Sequence, residues 1–244
     1  MLAVVIACWV FFGAAISDAR LEHAREVVLD YVGHMPNYVA DETAKRYQMG
    51  IGSSQWRFAD KIETEITFSD TGVLRQNIRK DGKPWKKSFQ DLPGFKWSGG
   101  FGTELKPLFD PACPTTIEYA GKSEVRGKPV LDYQFSSPSD GCFAYFTENA
   151  RTSNPPRSGH AFIDETSGNV LRLEEDAAGF PSISRFRERT EEVTWGYVTI
   201  GEERHLLPVA ASFLIDYSSG VQYRIDVEYT NHRHFEASTN ITFH

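Results

Sequence analysis

The chain has little of what marks a nucleic-acid-binding or a disulfide-rich protein. Its 244 residues include only three cysteines, and 26 lysines and arginines stand against 33 acidic residues, for a formal net charge of −7. There is no long basic run, so the usual electrostatic footprint of a nucleic-acid-binding protein is absent. Charged residues make up 24%, too many for a multi-span membrane protein, and hydrophobic residues 41%, too many for disorder.

Sequence motifs of common enzymes are missing as well. The chain has no P-loop, no dinucleotide fingerprint and no Gly-x-Ser-x-Gly. His232 and His234 could share one face of a strand, but no third ligand follows at a recognisable metal-site spacing. The acidic runs at 174–176 and 188–192 could supply paired carboxylates, although charge on the solvent face of a strand is the usual explanation. We therefore predict no catalytic residues, no metal and no other cofactor.

The first residues form a hydrophobic run without charge, residues 2–17. As a helix it would be about 24 Å long, shorter than the roughly 30 Å hydrocarbon core of a bilayer. With small side chains at Ser17 and Ala19, it predicts a signal-peptide-like segment over residues 1–19, cleaved after Ala19. Cleavage after Ser17, an uncleaved membrane anchor and acylation of Cys8 are the alternatives. The expected location is the periplasm or the exterior of a bacterium.

Two cysteines, Cys113 and Cys142, would remain after cleavage. An even pair in an exported chain favours a disulfide. The bond would close a loop of about 29 residues and would be worth roughly 3–4 kcal/mol in the chain-entropy model. The alternative is a pair of free thiols.

The spacing of apolar residues predicts one helix followed by a sheet. Between Asp18 and His34 they recur every three or four residues, which is typical of an amphipathic helix, and Pro36 ends it. A short second helix fits residues 103–110. After Pro36 the apolar residues otherwise recur with a period of two, as in strands with one buried face. The predicted strands cover 38–47, 61–68, 73–80, 115–121, 131–136, 143–148, 158–164, 169–175, 184–199, 205–217, 221–229 and 239–243.

These elements predict a mainly β fold. Turn signals such as Asp81-Gly82 and Arg126-Gly127 separate the runs and indicate antiparallel neighbours. We expect a large curved antiparallel sheet, or incomplete β-barrel, of about 10–11 strands with the N-terminal helix and the short helix packed across it. Residues 20–244 are expected to form one domain.

Two segments resemble the LolA/LolB-like lipoprotein carriers of the outer-membrane lipoprotein-sorting superfamily. Residues 162–174 have the hairpin pattern of a hydrophobic pair, Asp164, a Thr-Ser-Gly turn and an alternating Leu-Arg-Leu-Glu strand. Residues 223–243 are similar to the closing strands of that superfamily, in particular of its secreted members in soil bacteria. The resemblance implies an unclosed β-barrel, with helices across its opening and an apolar cavity that holds acyl chains in the carriers.

For function, the resemblance implies a periplasmic or envelope binding or carrier protein whose partner is a lipid or a lipidated protein. The alternative is a non-enzymatic structural or interaction protein with the same fold and a filled core, which would bind an envelope protein. Segment 88–102 combines glycines with large aromatics, so we expect a mobile rim at the cavity mouth with Trp97 partly exposed. The residues expected to form the cavity wall or rim are Phe95, Trp97, Phe101, Leu131, Tyr133, Phe135, Trp195, Phe213, Ile215, Tyr223 and Ile225.

Overall fold

The computed structural model describes residues 18–69, 72–98, 101–102, 104–139, 141–148 and 151–235. Its helices are α1 (Ala19–Gly33) and α2 (Leu105–Phe109), with a single 3-10 turn at Phe89–Asp91. The strands are β1 (Tyr38–Met49), β2 (Arg57–Ser69), β3 (Gly72–Lys80), β4 (Lys83–Pro84), β5 (Thr116–Val125), β6 (Lys128–Ser137), β7 (Phe146–Glu148), β8 (Arg151–Ser153), β9 (Arg157–Asp164), β10 (Val170–Ala178), β11 (Phe186–Ile200), β12 (Glu203–Tyr217) and β13 (Gln222–His234). The signal-like segment, Cys8 and the strand predicted at 239–243 lie outside the described residues.

Helix α1 is the predicted amphipathic helix. Asp18 caps its start, because its Oδ1 accepts a hydrogen bond of 3.0 Å from the backbone N–H of Arg20. The other carboxylate oxygen accepts a bond of 2.8 Å from the hydroxyl of Tyr133 on β6. The helix buries Leu21, Ala24 and Val28. Among the described residues, neither α1 nor α2 is long and apolar enough to cross a membrane.

The predicted large antiparallel sheet is confirmed. Eleven strands pair in the order β4-β3-β2-β1-β13-β12-β11-β10-β9-β6-β5, and β7 and β8 form a separate hairpin. Within the described chain β4 and β5 are the two edges, so the sheet does not close into a barrel. β1 pairs with β2 on one side and with β13 on the other, which places the first strand beside the last.

One face of the sheet is buried, as the period of two predicts. Along β1 the buried residues alternate with less buried ones: Tyr38, Ala40, Glu42, Ala44 and Arg46. Two of these five carry charge. The buried face therefore contains ionic groups among its apolar side chains, and each needs a partner.

A long connection between β4 and β5 covers this buried face. We call its described residues, 89–98, 101–102 and 104–109, the covering segment. It contributes seven buried apolar side chains to the same core as the sheet: Phe89, Leu92, Trp97, Phe101, Leu105, Leu108 and Phe109. Helix α2 lies within the predicted range 103–110 and holds only five residues, since Pro107 restricts its extension.

Candidate functional site

The first polar cluster of the buried face holds the covering segment against the sheet. The carboxylate of Glu42 is fully buried, and Arg75 binds both its oxygens, with Nε 2.7 Å from Oε2 and Nη2 2.8 Å from Oε1. Thr64 donates a third hydrogen bond of 2.9 Å to Oε2, and the Trp97 indole a fourth of 2.9 Å to Oε1. Because these partners satisfy both carboxylate oxygens, this cluster is structural.

A second buried ion pair fixes the chain next to Trp97. Nε and Nη2 of Arg46 each lie 2.6 Å from an oxygen of Asp60. Nη1 of Arg46 donates a hydrogen bond of 2.8 Å to the carbonyl of Phe95. Burial raises the pKa of Asp60, but hydrogen bonds from Arg46 and Lys80 outweigh it and hold that pKa below its ordinary value.

A cavity of about 750 Å³ lies between the covering segment, the β7 hairpin and strands β9–β11. This volume is within the range of about 300–1,000 Å³ typical of ligand sites. Aromatic rings form its walls: Phe95, Trp97, Phe143, Phe146 and Phe186. Charged side chains border the same space: Glu104, Arg157, Glu175, Arg189 and Glu191. We refer to the second set as the charged floor.

Two arginines pair with two glutamates of the charged floor. Nη1 of Arg157 donates to Oε1 of Glu175, and Nη2 of Arg189 donates to Oε2 of Glu191 at 2.5 Å. Both guanidinium groups also lie over the ring of Phe146, 4.4 Å and 5.1 Å from its centroid. The ring contacts and ion pairs fix both arginines in place.

Burial has the largest effect on the pKa values of two glutamates in the charged floor. The side chains of Glu175 and Glu191 are only 5% and 7% exposed. Burial raises the pKa of Glu191 to about 8, against the opposing attraction of Arg189, and repulsion from Glu104 and Glu175 adds to the rise. Burial also raises the pKa of Glu175, although Arg157 and Arg189 oppose it. Glu191 is therefore largely protonated at neutral pH.

Hydrogen-bonding capacity is left unused in the floor. Oε2 of Glu104, Oε2 of Glu175 and Oε1 of Glu191 are buried without a hydrogen-bond partner, as are the Nε groups of Arg157 and Arg189. Buried polar groups in folded proteins nearly always have partners, so this concentration of unpartnered atoms beside one cavity is unusual. It distinguishes the floor from the fully paired cluster around Glu42.

The predicted disulfide lies at the mouth of this cavity and is confirmed. Cys113 and Cys142 are bonded, with their Cα atoms 5.6 Å apart. Cys142 itself borders the cavity, and Ala144 and Tyr145, two and three residues further along the chain, are exposed at its rim. The bond therefore ties the rim of the cavity to the chain that follows α2.

The predicted wall and rim residues divide into two groups. Phe95 and Trp97 border the cavity, and Trp195 and Tyr223 border other surface hollows. The remaining seven are buried in the hydrophobic core and border none of these spaces in the described chain: Phe101, Leu131, Tyr133, Phe135, Phe213, Ile215 and Ile225. The expected partial exposure of Trp97 is wrong, since the side chain is 2% exposed and bonded to Glu42.

The charged floor was missed in the sequence, because its acidic runs were interpreted as solvent-facing. Glu175 and Glu191 instead lie on the buried face. A signal was present: Leu171 and Leu173 precede Glu175 at a spacing of two, and Val193 and Trp195 follow Glu191 at the same spacing. Residues of one parity share a face of a strand, so the apolar neighbours predict burial of these carboxylates.

The histidine and metal-ligand candidates give no comparable cluster in the part of the chain that the structure describes. Nε2 of His232 lies 3.0 Å from the carbonyl oxygen of Pro208, and burial lowers the pKa of its ring. No group of three or more His, Cys, Asp or Glu side chains among the described residues is arranged to hold a metal ion. A hollow of about 810 Å³ beside Tyr197 is bordered by Lys128 and Arg204, whose cationic groups lie over that ring.

The chain matches no protein-family model and no curated protein. Among solved structures it is similar to a DUF1329 family protein from Desulfovibrio piger, with 8% identity, a TM-score of 0.43 and coverage of 91% of this chain and 95% of that one. A LolA superfamily protein from Nitrosomonas europaea matches with 7% identity, a TM-score of 0.36 and coverage of 91% and 94%. An outer membrane lipoprotein-sorting protein domain from Vibrio parahaemolyticus matches with 8% identity, a TM-score of 0.37 and coverage of 90% and 95%.

The identities are below 25% and the TM-scores below 0.5. These matches therefore do not indicate what the cavity binds.

Proposed function

We propose that this chain is a non-enzymatic binding or carrier protein of the bacterial envelope that holds an amphipathic ligand, such as a lipid or the lipid group of a protein. The observation that supports the proposal is the cavity of about 750 Å³ with aromatic walls and a charged floor. Aromatic walls bury the apolar part of a ligand, at roughly 25 cal/mol per Å² removed from water. A few convergent polar groups then fix its orientation. The uncharged N-terminal run of the sequence supports export to the periplasm or beyond.

A second candidate is a structural or interaction protein with a filled core. The packing of seven expected wall residues favours it, because Leu131, Phe213 and their neighbours contact other side chains of the core instead of a cavity. On this view the remaining hollow would hold only water, and the protein would bind an envelope protein through its surface.

Ligand uptake separates the two candidates. The protein is purified without detergent, an organic extract is analysed by mass spectrometry, and the fluorescence of N-phenyl-1-naphthylamine is titrated as an uncharged apolar probe. A carrier should show saturable uptake near one probe per chain, or a stoichiometric lipid in the extract. An empty extract together with no saturable uptake would leave the filled-core protein.

A matched pair of variants tests whether the probe enters this cavity. Ala144 is exposed and borders the cavity, whereas Ala120 is exposed on edge strand β5 and does not. Ala144→Trp should obstruct the mouth and weaken uptake at least tenfold, and Ala120→Trp should leave it unchanged. Equal uptake by both variants would place the ligand elsewhere.

A further inference from the structure

When its three carboxyl groups are all ionised, the charged floor has one negative charge more than its two arginines neutralise. Glu104, Glu175 and Glu191 face only two guanidinium groups, and each pairing uses one oxygen of its carboxylate. Oε2 of Glu175 and Oε1 of Glu191 stay unpartnered although both side chains are more than nine-tenths buried. Oε2 of Glu104 is unpartnered as well.

The two lysines that border the cavity donate no hydrogen bond to the three carboxyl groups in the described structure. Nζ of Lys96 donates a hydrogen bond of 3.1 Å to the carbonyl of Leu92. Lys106 is exposed, and the structure shows no hydrogen bond from it to the three glutamates of the floor. A ligand that brings one positive charge and several N–H donors would complete the floor.

We propose that the cavity recognises an ammonium group, so that the ligand is an amphiphile with an amine head placed against Glu104, Glu175 and Glu191. This inference rests on the proposed function and specifies the class of its ligand. An ammonium group offers three donors and no acceptor, which matches three unpartnered carboxylate oxygens. The surrounding rings add to its binding, because cations are attracted to the faces of Trp and Phe.

An anionic head, such as that of a fatty acid, fits the floor poorly. It would bring a further negative charge beside three carboxyl groups, two of them buried. The guanidinium groups already pair with Glu175 and Glu191, and only their two Nε donors are unpartnered, against three unpartnered carboxyl oxygens. Burial of a like charge in such a place is unfavourable.

Binding of the amine should be coupled to release of a proton. The groups that act on Glu191 are Glu104 before α2, Arg157 on β9, Glu175 on β10, Arg189 on its own strand and Tyr229 on β13. Since the pKa of Glu191 is raised to about 8, the empty floor keeps a proton that an ammonium group would displace. The affinity should therefore rise about tenfold per pH unit below pH 8.

The test is displacement of N-phenyl-1-naphthylamine by four competitors: dodecylamine, dodecanol, dodecanoate and butylamine. All are used below their micellar concentrations, between pH 6.5 and 8. At pH 7.5 dodecylamine should bind at least tenfold more tightly than dodecanol and dodecanoate, and about tenfold more tightly than at pH 6.5. Its amine, with a pKa near that of lysine at about 10.4, stays charged throughout. Butylamine should bind much more weakly, because it lacks the chain.

Two neighbouring substitutions connect this preference to the floor. Glu191→Gln should remove the pH dependence and most of the preference for the amine. Glu192→Gln, which changes a half-exposed carboxylate on the other face of β11, should alter neither the pH dependence nor the preference for the amine.

Dodecanol or dodecanoate binding as tightly as dodecylamine would overturn the ammonium assignment while leaving the carrier function intact. Butylamine binding as tightly as dodecylamine would overturn the amphiphile. Absence of probe uptake would overturn the carrier function itself.

Discussion

The indole N–H of Trp97 donates a hydrogen bond of 2.9 Å to the buried carboxylate of Glu42, 55 residues away in the chain. This bond joins the covering segment to strand β1, the fourth of the eleven strands in the sheet. The Trp97 ring also packs edge-on against Phe89, with centroids 5.0 Å apart. Trp97 is therefore a fixed part of the core that forms one wall of the cavity.

Replacement of Trp97 by alanine should destabilise the protein strongly. The substitution removes a buried ring and one of the four donors to Glu42, so we expect a loss of about 3–5 kcal/mol in the free energy of unfolding. Trp97→Phe keeps most of the ring volume but removes the donor, and should cost roughly 1–3 kcal/mol. Urea denaturation followed by circular dichroism measures both changes.

Trp56 offers a control, because it is only half-buried before β2 and lies outside the core. Trp56→Ala should cost clearly less than Trp97→Ala. If Trp97→Ala instead changed stability by less than about 1 kcal/mol, the mobile rim expected from the sequence would be the better description of residues 88–102.

The fold could largely be predicted from the sequence, because hydrophobic periodicity determines it directly. The spacing of Leu21, Ala24 and Val28 predicted α1, and the alternation in β13 predicted its buried Ile225, Val227 and Tyr229. The covering segment could not be predicted in the same way. Its residues have no regular period, and their burial depends on contacts with distant strands, such as that between Trp97 and Glu42.

The site was predicted only in part, for a similar physical reason. Phe95 and Trp97 were expected to meet a ligand and do border the cavity. The floor was missed, since a glutamate is assigned to the solvent face of a strand by default. Glu175 pairs with Arg157 of the neighbouring strand β9, and this contact follows only from the register of the sheet. Glu191 pairs with Arg189 two residues earlier on its own strand, and the chain alone does not show that both side chains face the core.

The position of Asp18 bears on where the predicted signal-like segment would be cleaved. Cleavage after Ala19 would remove the residue that caps α1 and accepts the hydrogen bond from Tyr133, whereas cleavage after Ser17 would keep it. We therefore expect the mature chain to begin at Asp18. N-terminal sequencing of the exported protein measures this directly, and a chain beginning at Arg20 would contradict it.

The same carboxylate should stabilise the fold in a pH-dependent manner. The hydrogen bond from Arg20, with help from Tyr133, lowers the pKa of Asp18 to about 2 from 3.8. Its contribution is therefore present above pH 4 and is lost as the pH falls from about 4 to 2. Asp18→Ala should cost about 1 kcal/mol at pH 7, in the range for loss of an N-cap, and less at pH 2. Asp18→Asn should retain most of the capping. A cost of Asp18→Ala that does not change with pH would be the contrary result.

The disulfide should stabilise both the fold and the cavity rim. Cys113→Ser combined with Cys142→Ser removes a link across 29 residues, so we expect a loss of roughly 3–4 kcal/mol on unfolding in urea. Reduction of the unaltered protein should produce a similar loss. Free-thiol counting on the denatured, unreduced protein without Cys8 should give none, and two thiols per chain would contradict the bond.

Glu191 should make the empty protein less stable as the pH rises. Its pKa is about 8 in the folded chain against 4.5 ordinarily, so between these values the unfolded chain releases a proton that the folded chain keeps. Stability contributed by this group therefore falls from pH 4.5 to pH 8, by roughly 3–5 kcal/mol in total. Glu191→Gln removes the titration, and its stability relative to the unaltered protein should increase steadily over that interval. Urea denaturation at pH 5, 6.5 and 8 measures the trend. Glu192→Gln, on the other face of the same strand, should change the free energy of unfolding only slightly, and by the same amount at each pH. If the effect of Glu191→Gln were also independent of pH, this carboxyl would already be ionised in the folded protein.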